Sequence, residues 1–491
     1  MSEATGGTTG AVQTGTSRDG WEPVIGLEVH CELRTATKLF CGCRNMFGDK
    51  PNTNVCPVCL GLPGSLPVLN EKAVQYAMAI GMALHCDVRR STFHRKNYFY
   101  PDMPKDYQVS QYDEPINVDG YLDLPDGSRV RIERAHMEED TGKTTHVGGG
   151  GRIHDADHSI VDYNRAGIPL VEIVSAPDVY SAAQARLYAA ELRAILIASG
   201  ASDGRMEEGS MRVDANVSVR RPGEPLGTRC EIKNLNSLRS LHRAIEHEID
   251  RQIERIESGE RIVQQTRHWD EARGQTIPLR SKEEAYDYRY FPEPDLVPLD
   301  PDASWKAAVA AALGPMPADR RASLVGLFGG ELPSGRADQI AAVVEQGLDD
   351  LVVGAIGAGV DPALALARTA NEAAASPEAA QAVDRAAYVA LLKMEQGGTL
   401  SATQAKVVLA DLLASGGDPV EIAKAKGFEA LSSDSLADTV AGVVETNPDE
   451  WGRYSGGEDK LAQFFIGQVM KATQGKANGK TVIAELQRLR G

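Results

Sequence analysis

The sequence predicts an α+β protein in which a large antiparallel sheet forms a trough, followed by a helical domain and a small all-α tail. Three observations carry this expectation. Segments before residue 295 repeatedly alternate apolar and polar residues at the two-residue period of a half-buried strand. Long excursions between them suit an antiparallel sheet better than a run of βαβ units. Beyond residue 295 the chain becomes Ala- and Leu-rich, with helical spacing and turns at Gly314-Pro315, Gly329-Gly330, Gly397-Gly398 and Gly416-Gly417. The expected division is a disordered leader over 1–20, a sheet-bearing domain over 21–295, a helical domain over 296–399 and a tail over 400–491.

The totals narrow the class. At 491 residues the chain exceeds a single core. Its hydrophobic content of 42% and charged content of 25% are those of an ordinary globular protein. No apolar run is long enough for a bilayer and no signal peptide opens the chain, so a cytoplasmic location is expected. The net charge of −17 argues against indiscriminate coating of nucleic acid, and any such contact must be a confined patch. Seven cysteines, an odd number, fit a reduced compartment rather than a disulfide framework.

The first strand, Val24 to Leu33, places Ile25, Leu27, Val29, Cys31 and Leu33 on one face and Glu28, His30 and Glu32 on the other. That second face either binds a hard divalent cation or is simply solvated. Cys41 and Cys43 are followed, after twelve intervening residues, by Cys56 and Cys59. Four thiolates so paired can surround Zn²⁺ in a closed, structural site; the plain alternative is buried free thiols. Cys31, Cys86 and Cys230 sit singly in apolar surroundings and read as core. Ala73, Tyr76-Ala77, Ile80 and Leu84 give an amphipathic helix over 71–84.

His94 to Lys105 interleaves basic and aromatic residues before two prolines and reads as a loop. Arg95 and Lys96 could meet phosphate and Tyr98 or Tyr100 a base, or the whole could be a partly buried aromatic loop. Glu138, Glu139 and Asp140 are three successive acids, which repel unless solvated or metal-bound. Gly148 to Gly151 lacks a following Gly-Lys-Ser/Thr and reads as a hairpin tip. Leu170 to Val174 buries one acid, Glu172, which needs a metal, an arginine or a proton beside it.

Two more half-polar strands follow, Met211 to Arg220 and Cys230 to Lys233, with Asp214, Asn216, Glu231 and Lys233 on their polar faces. Ser237 offers an N-cap to a long helix whose stripe runs Leu238, Leu241, Ile245, Ile249, Ile253 and Ile256 and stops near Gly259. The Pro-punctuated stretch from Tyr288 to Asp302 reads as a linker or rigid boundary. Near the end, Lys471, Lys476 and Lys480 surround a Gly-containing turn; they are either solvated or a contact for an RNA backbone.

Taken together, Gly26 to His30, Arg95 to Asp102, His136 to Asp140, Leu170 to Val174 and Asp287 to Asp295 closely resemble the GatB family, the B subunits of the tRNA-dependent amidotransferase GatCAB. The resemblance runs from Trp21 to the end and includes a tail like the YqeY family over Gly467 to Gly479. It implies that the trough is the family's catalytic cradle domain, which holds the aminoacylated 3′ end of a misacylated tRNA. It further implies a carbon–nitrogen ligase that uses ATP to phosphorylate the side chain of Glu on tRNA(Gln) or Asp on tRNA(Asn). Ammonia from glutamine, released by the partner GatA and channelled within a GatA–GatB–GatC heterotrimer, then displaces the phosphate. By the family's motif positions, Glu28, His30, Glu139 and Glu172 would bind Mg²⁺ and Lys96 would face phosphate; Asp214 and Asn216 lie on a polar strand face that either completes the pocket or is purely structural. The same resemblance makes a Cys41, Cys43, Cys56 and Cys59 zinc site a scaffold, gives Lys471, Lys476 and Lys480 to tRNA, and leaves Glu32 a solvated neighbour. Two alternatives remain: a zinc-stabilised tRNA-binding adaptor without chemistry, and the GatE paralogue, whose inserted domain finds no obvious room here.

Overall fold

The computed structural model describes residues 20–148, 156–279, 288–330, 335–428, 433–473, 477 and 479–490. Residues 1–19 of the expected leader, 149–151 of the expected hairpin tip, Lys476 and the Lys480 side chain lie outside the described residues. The chain divides into two compact units, 1–318 and 319–491. It is a mixed α+β protein, with a large sheet in the first unit and helices in the second.

The first unit contains β1 (Glu22–Glu32), α1 (Glu71–Ala83), β2 (Asp87–Val88), β3 (Thr92–Asn97), β4 (Tyr107–Glu114), β5 (Asn117–Asp123) and β6 (Arg129–Glu139). There follow β7 (Lys143–Val147), β8 (His158–Asp162), β9 (Pro169–Ser175), α2 (Ala182–Ala198), β10 (Met211–Arg220) and β11 (Cys230–Leu235). The last are α3 (Leu238–Glu257), β12 (Gln265–Asp270), β13 (Gln275–Pro278), β14 (Phe291–Pro292) and α4 (Ala303–Ala312). Among the described residues twelve strands form one sheet, ordered β13-β12-β11-β10-β1-β9-β6-β4-β3-β14, with β5 on β6 and β2 on β5. Every pairing in it is antiparallel except β11 with β12. β7 and β8 form a separate hairpin.

β1 lies near the middle because its odd-numbered residues are apolar. Ile25, Leu27, Val29 and Cys31 are buried in one core with residues of α1, α2 and α3. Each helix begins on a predicted or legible cap: Asn70, Ser181 and Ser237 accept hydrogen bonds from first-turn backbone N–H groups. The α3 stripe is as expected, with Leu241, Ile245 and Ile249 buried and Leu238, Ile253 and Ile256 packed against the same core. The even-numbered side chains of β1 are turned to the other face of the sheet.

α3 also carries Glu248, which is fully buried between Arg251 and Arg267 at 2.5 and 3.2 Å and accepts from Gln252 and Thr276. Removing one member of a buried ionic network strands the others, so Glu248→Ala is expected to cost about 3–5 kcal/mol. A lower urea midpoint with an unchanged m-value is the corresponding measurement.

Two segments differ from expectation. His94 to Asn97, expected in a loop, completes β3, because Arg95 and Lys96 pair with Val109 and Gln108. Tyr288 to Asp302 is stitched onto the sheet rather than free: β14 pairs with β3, and Ser91 and Leu299 exchange backbone hydrogen bonds of 2.8 Å. Leu296, Leu299, Trp305 and Met316 pack on the first core, which carries that unit past the expected boundary at 295.

In the second unit, residues Leu324 to Ala423 share one core and Val440 to Leu486 another. Leu400, Val408 and Leu412 belong to the former, so packing continues through the boundary expected at 400. Among the described residues no helix is long and apolar enough to cross a membrane.

Candidate active site

Strand parity builds the site. In antiparallel pairs, directly opposed residues point to the same face. His30 lies opposite Arg212 of β10 and Glu172 of β9, and Glu172 lies opposite His136 of β6. Glu138, two residues beyond His136, shares its facing. His30 Nε2 thus comes to 3.5 Å from Glu138 Oε1 and 3.7 Å from Glu172 Oε2. The three ligand atoms lie within 4.8 Å of one another.

This donor set fits a divalent cation. Neighbouring ligands of octahedral Mg²⁺, with bonds of about 2.1 Å, sit about 3 Å apart, so a small closure suffices. Two carboxylates and an imidazole suit Mg²⁺ or Mn²⁺. The charges agree. Burial, then Glu172, push the Glu138 carboxyl up to about 7. Burial also opposes charge on Glu172, but the neighbouring His30, His136 and Arg134 hold it down at about 2. Burial opposes charge on His30 as well, and Glu172 and Glu138 outweigh it and raise its pKa. Crowded acids competing for one imidazole are what a cation would relieve.

The expected residues distribute as follows. His30 and Glu172 meet. Glu139 does not join them: it pairs with Pro169 on the opposite parity, forms an ion pair with Lys105 and accepts from the Val109 N–H at 2.9 Å. Glu138 occupies the place expected for it. Glu28 lies one step along the same face, accepting from Asn216 Nδ2 at 2.9 Å, its pKa raised by burial and then by Glu172. Asp214 is held by Lys233 at 2.7 Å, and Lys233 also reaches Glu231 at 2.8 Å. Lys96 sits 4.8 Å from the Tyr288 ring, and its charge is felt at Glu138 and His136.

Arg95 is committed elsewhere, in a two-pronged pair with Glu293 at 2.7 Å for both contacts. Tyr98 and Tyr100 stack at 4.7 Å. Glu32, expected to be solvated, is half-buried, and burial followed by the Asp140 charge pushes it up to about 8. Its neighbour Asp140 bonds Arg212 at 2.7 Å.

Sequence reasoning missed Glu138 and His136 as members of this face. The signal was present. Ala135, Met137 and Glu139 share one parity and His136 and Glu138 the other, so the core-facing Ala135 and Met137 already assign Glu138 outward. Arg134, Tyr112 and Tyr290 were also missed. Arg134 lies 4.7 Å from the Tyr112 ring, which stacks on Tyr290 at 5.5 Å, and such a cluster of two strands and the segment before β14 has no sequence signature.

The four cysteines of the knuckle converge, with the Sγ atoms of Cys41, Cys43, Cys56 and Cys59 within 4.8 Å of one another. Tetrahedral Zn²⁺ with bonds of about 2.3 Å separates its sulfurs by about 3.8 Å, so the set fits zinc. A hydrogen bond from Cys41 holds the Cys59 thiol down at about 5. Cys31 and Cys230 are buried and Cys86 is half-buried, each alone, as expected of core thiols.

Residues 23–307 match a family described as the GatB/GatE catalytic domain, and residues 363–489 match one described as the GatB domain. The chain is 50% identical to the B subunit of the aspartyl/glutamyl-tRNA(Asn/Gln) amidotransferase of Frankia casuarinae, over 94% of each chain. It is 48% identical to the protein of that name from Salinispora arenicola, over 94% of this chain and 95% of that one. The corresponding Carboxydothermus hydrogenoformans protein is 45% identical, over 94% and 97%. The chain therefore belongs to the family of B subunits of the aspartyl/glutamyl-tRNA(Asn/Gln) amidotransferases.

Proposed function

We propose that this chain amidates misacylated tRNA in the cytoplasm as the B subunit of a GatCAB heterotrimer. Its substrates are ATP, ammonia from the GatA glutaminase, and Glu-tRNA(Gln), Asp-tRNA(Asn) or both. The observation that carries this reading is the convergence of His30, Glu138 and Glu172 on the polar face of the family's catalytic domain.

A carboxylate is a poor acyl donor because oxide would have to leave. An oxygen of the substrate side chain attacks the γ-phosphorus of ATP and ADP leaves; the nitrogen of ammonia then attacks the carbonyl carbon and phosphate leaves, giving the amide. Mg²⁺, held by His30, Glu138 and Glu172, would supply charge neutralisation for the phosphates. The chain's own residues position and shield. Lys96 faces the developing phosphate charge, Glu28, Asp214 and Asn216 line the adjoining wall, and the Tyr98 and Tyr100 pair offers a base-stacking step for the tRNA 3′ end. No protein nucleophile is needed.

The catalytic cradle would lie in the sheet-bearing first unit, and the helical and YqeY-like parts that follow it would grip the tRNA body. Zn²⁺ on Cys41, Cys43, Cys56 and Cys59 would be structural. Lys471, Lys476 and Lys480 would contact the tRNA backbone. Lys471 is exposed on its helix. Lys471→Ala is expected to weaken binding of every cognate tRNA alike and to lower the slope of log K against log salt by about 1.

The test is transamidation by the reconstituted heterotrimer with each misacylated tRNA. Phosphate release is expected only with misacylated tRNA present, one per amide formed. tRNA binding without any such release would instead favour the zinc-stabilised adaptor.

A further inference from the structure

Among the groups around Glu172, His136 stands apart. Its side chain has no exposed surface, and among the described residues neither ring nitrogen has a hydrogen-bond partner. Leaving a buried polar group unpaired costs about 1–3 kcal/mol, and an apolar residue in the same space would avoid that. His136 Nε2 faces Glu172 Oε2 at 3.6 Å, only slightly beyond hydrogen-bond reach. The same oxygen stands 3.7 Å from His30 Nε2, while Glu172 Oε1 stands 3.9 Å from Arg134 Nη2. The Glu172 carboxylate therefore lies between two imidazoles, one from the strand on each side. Only His30 belongs to the compact ligand group. Tyr112 packs edge-on against His136, with centroids 6.1 Å apart and planes at 81°.

We propose that His136 is a positioning residue that donates its Nε2–H to Glu172 Oε2 and so fixes the carboxylate for the cation it shares with His30 and Glu138. An ionised carboxylate only accepts, so the proton of this bond sits on His136. At 3.6 Å the His136 Nε2–Glu172 Oε2 contact needs only a small side-chain shift to become a hydrogen bond. This inference rests on the cation reading of His30, Glu138 and Glu172 and adds a residue that reading does not contain.

Mn²⁺ binding to the intact heterotrimer, followed by EPR titration, tests it. His136→Leu removes the donor at similar volume and is expected to weaken Mn²⁺ binding about 10- to 100-fold, the usual effect of losing an outer partner of a metal ligand. His136→Gln returns an N–H near the Nε2 position and is expected to recover most of that loss. Pulsed EPR is expected to count one directly coordinated nitrogen, from His30, in all three proteins. Thermal midpoints report folding; should His136→Leu not fold, His136→Asn, whose N–H falls short of the Nε2 position, takes its place with the same expected loss. Unchanged Mn²⁺ affinity on losing the donor, a Gln variant no better than the donor-free one, or a second coordinated nitrogen lost on substitution would each overturn the proposal. A Glu172→Gln control separates the two readings, because unchanged Mn²⁺ binding there overturns the cation site itself.

Discussion

Glu172→Gln is expected to lower misacylated-tRNA-dependent ATP cleavage by the heterotrimer about 100- to 1000-fold, the scale of several kcal/mol of lost cation assistance. The substitution keeps the volume and removes the charge. Glu172 is the acid held most firmly ionised in the group, at about 2, because His30, His136 and Arg134 surround it. Its loss leaves Glu138 as the one carboxylate in that group, and burial already pushes Glu138 up to about 7. tRNA binding is expected to persist, since the proposed backbone contacts at Lys471, Lys476 and Lys480 are left unchanged. Near-normal turnover in this variant would discard the ligand set.

Cys59→Ala is expected to release the zinc and to unfold the knuckle locally, because a four-thiolate site contributes on the order of 10 kcal/mol to the segment it closes. Cys59 is the most buried of the four cysteines and accepts from the Cys56 backbone N–H at 3.1 Å. Among the described residues the knuckle contains no strand or helix of its own, and its return to the fold rests on backbone bonds such as Val68 N–H to Phe40 and Leu39 N–H to Gly167, at 3.0 and 2.9 Å. One zinc per chain in the wild type and none in the variant, with new protease cleavage between Phe40 and Leu69, is the expected result. A variant that keeps its zinc would show that the thiols close no such site.

The site was partly legible in the chain because β-strand parity is a local rule. Alternation placed Glu28 and His30 on one face and buried Val29 and Cys31 beneath them, and the structure has the same pattern. A single acid in an apolar strand pointed to Glu172 needing partners, and it has His30 on one side and His136 on the other. Which of two adjacent acids shares that face was also legible, from the core-facing parity of Ala135 and Met137, but motif position outweighed it. Motif position pointed to Glu139, whereas register with Pro169 turns Glu139 toward Lys105 and leaves Glu138 beside His30. Glu32 was misread for a related reason. Its environment comes from Asp140 and Arg212, more than a hundred residues away in sequence, and burial cannot be read from a strand's end. In the helical part, spacing gave helices but not their grouping, since Leu400 to Leu412 joins the preceding core through contacts no local pattern encodes.

The most direct measurement is anomalous diffraction from crystals of the heterotrimer soaked in Mn²⁺. A single peak within about 2.2 Å of His30 Nε2 and of one oxygen each from Glu138 and Glu172 is the expected result. A peak bound instead by Glu139, or none on this face of the sheet, would contradict the assignment of the catalytic cation to these three strands.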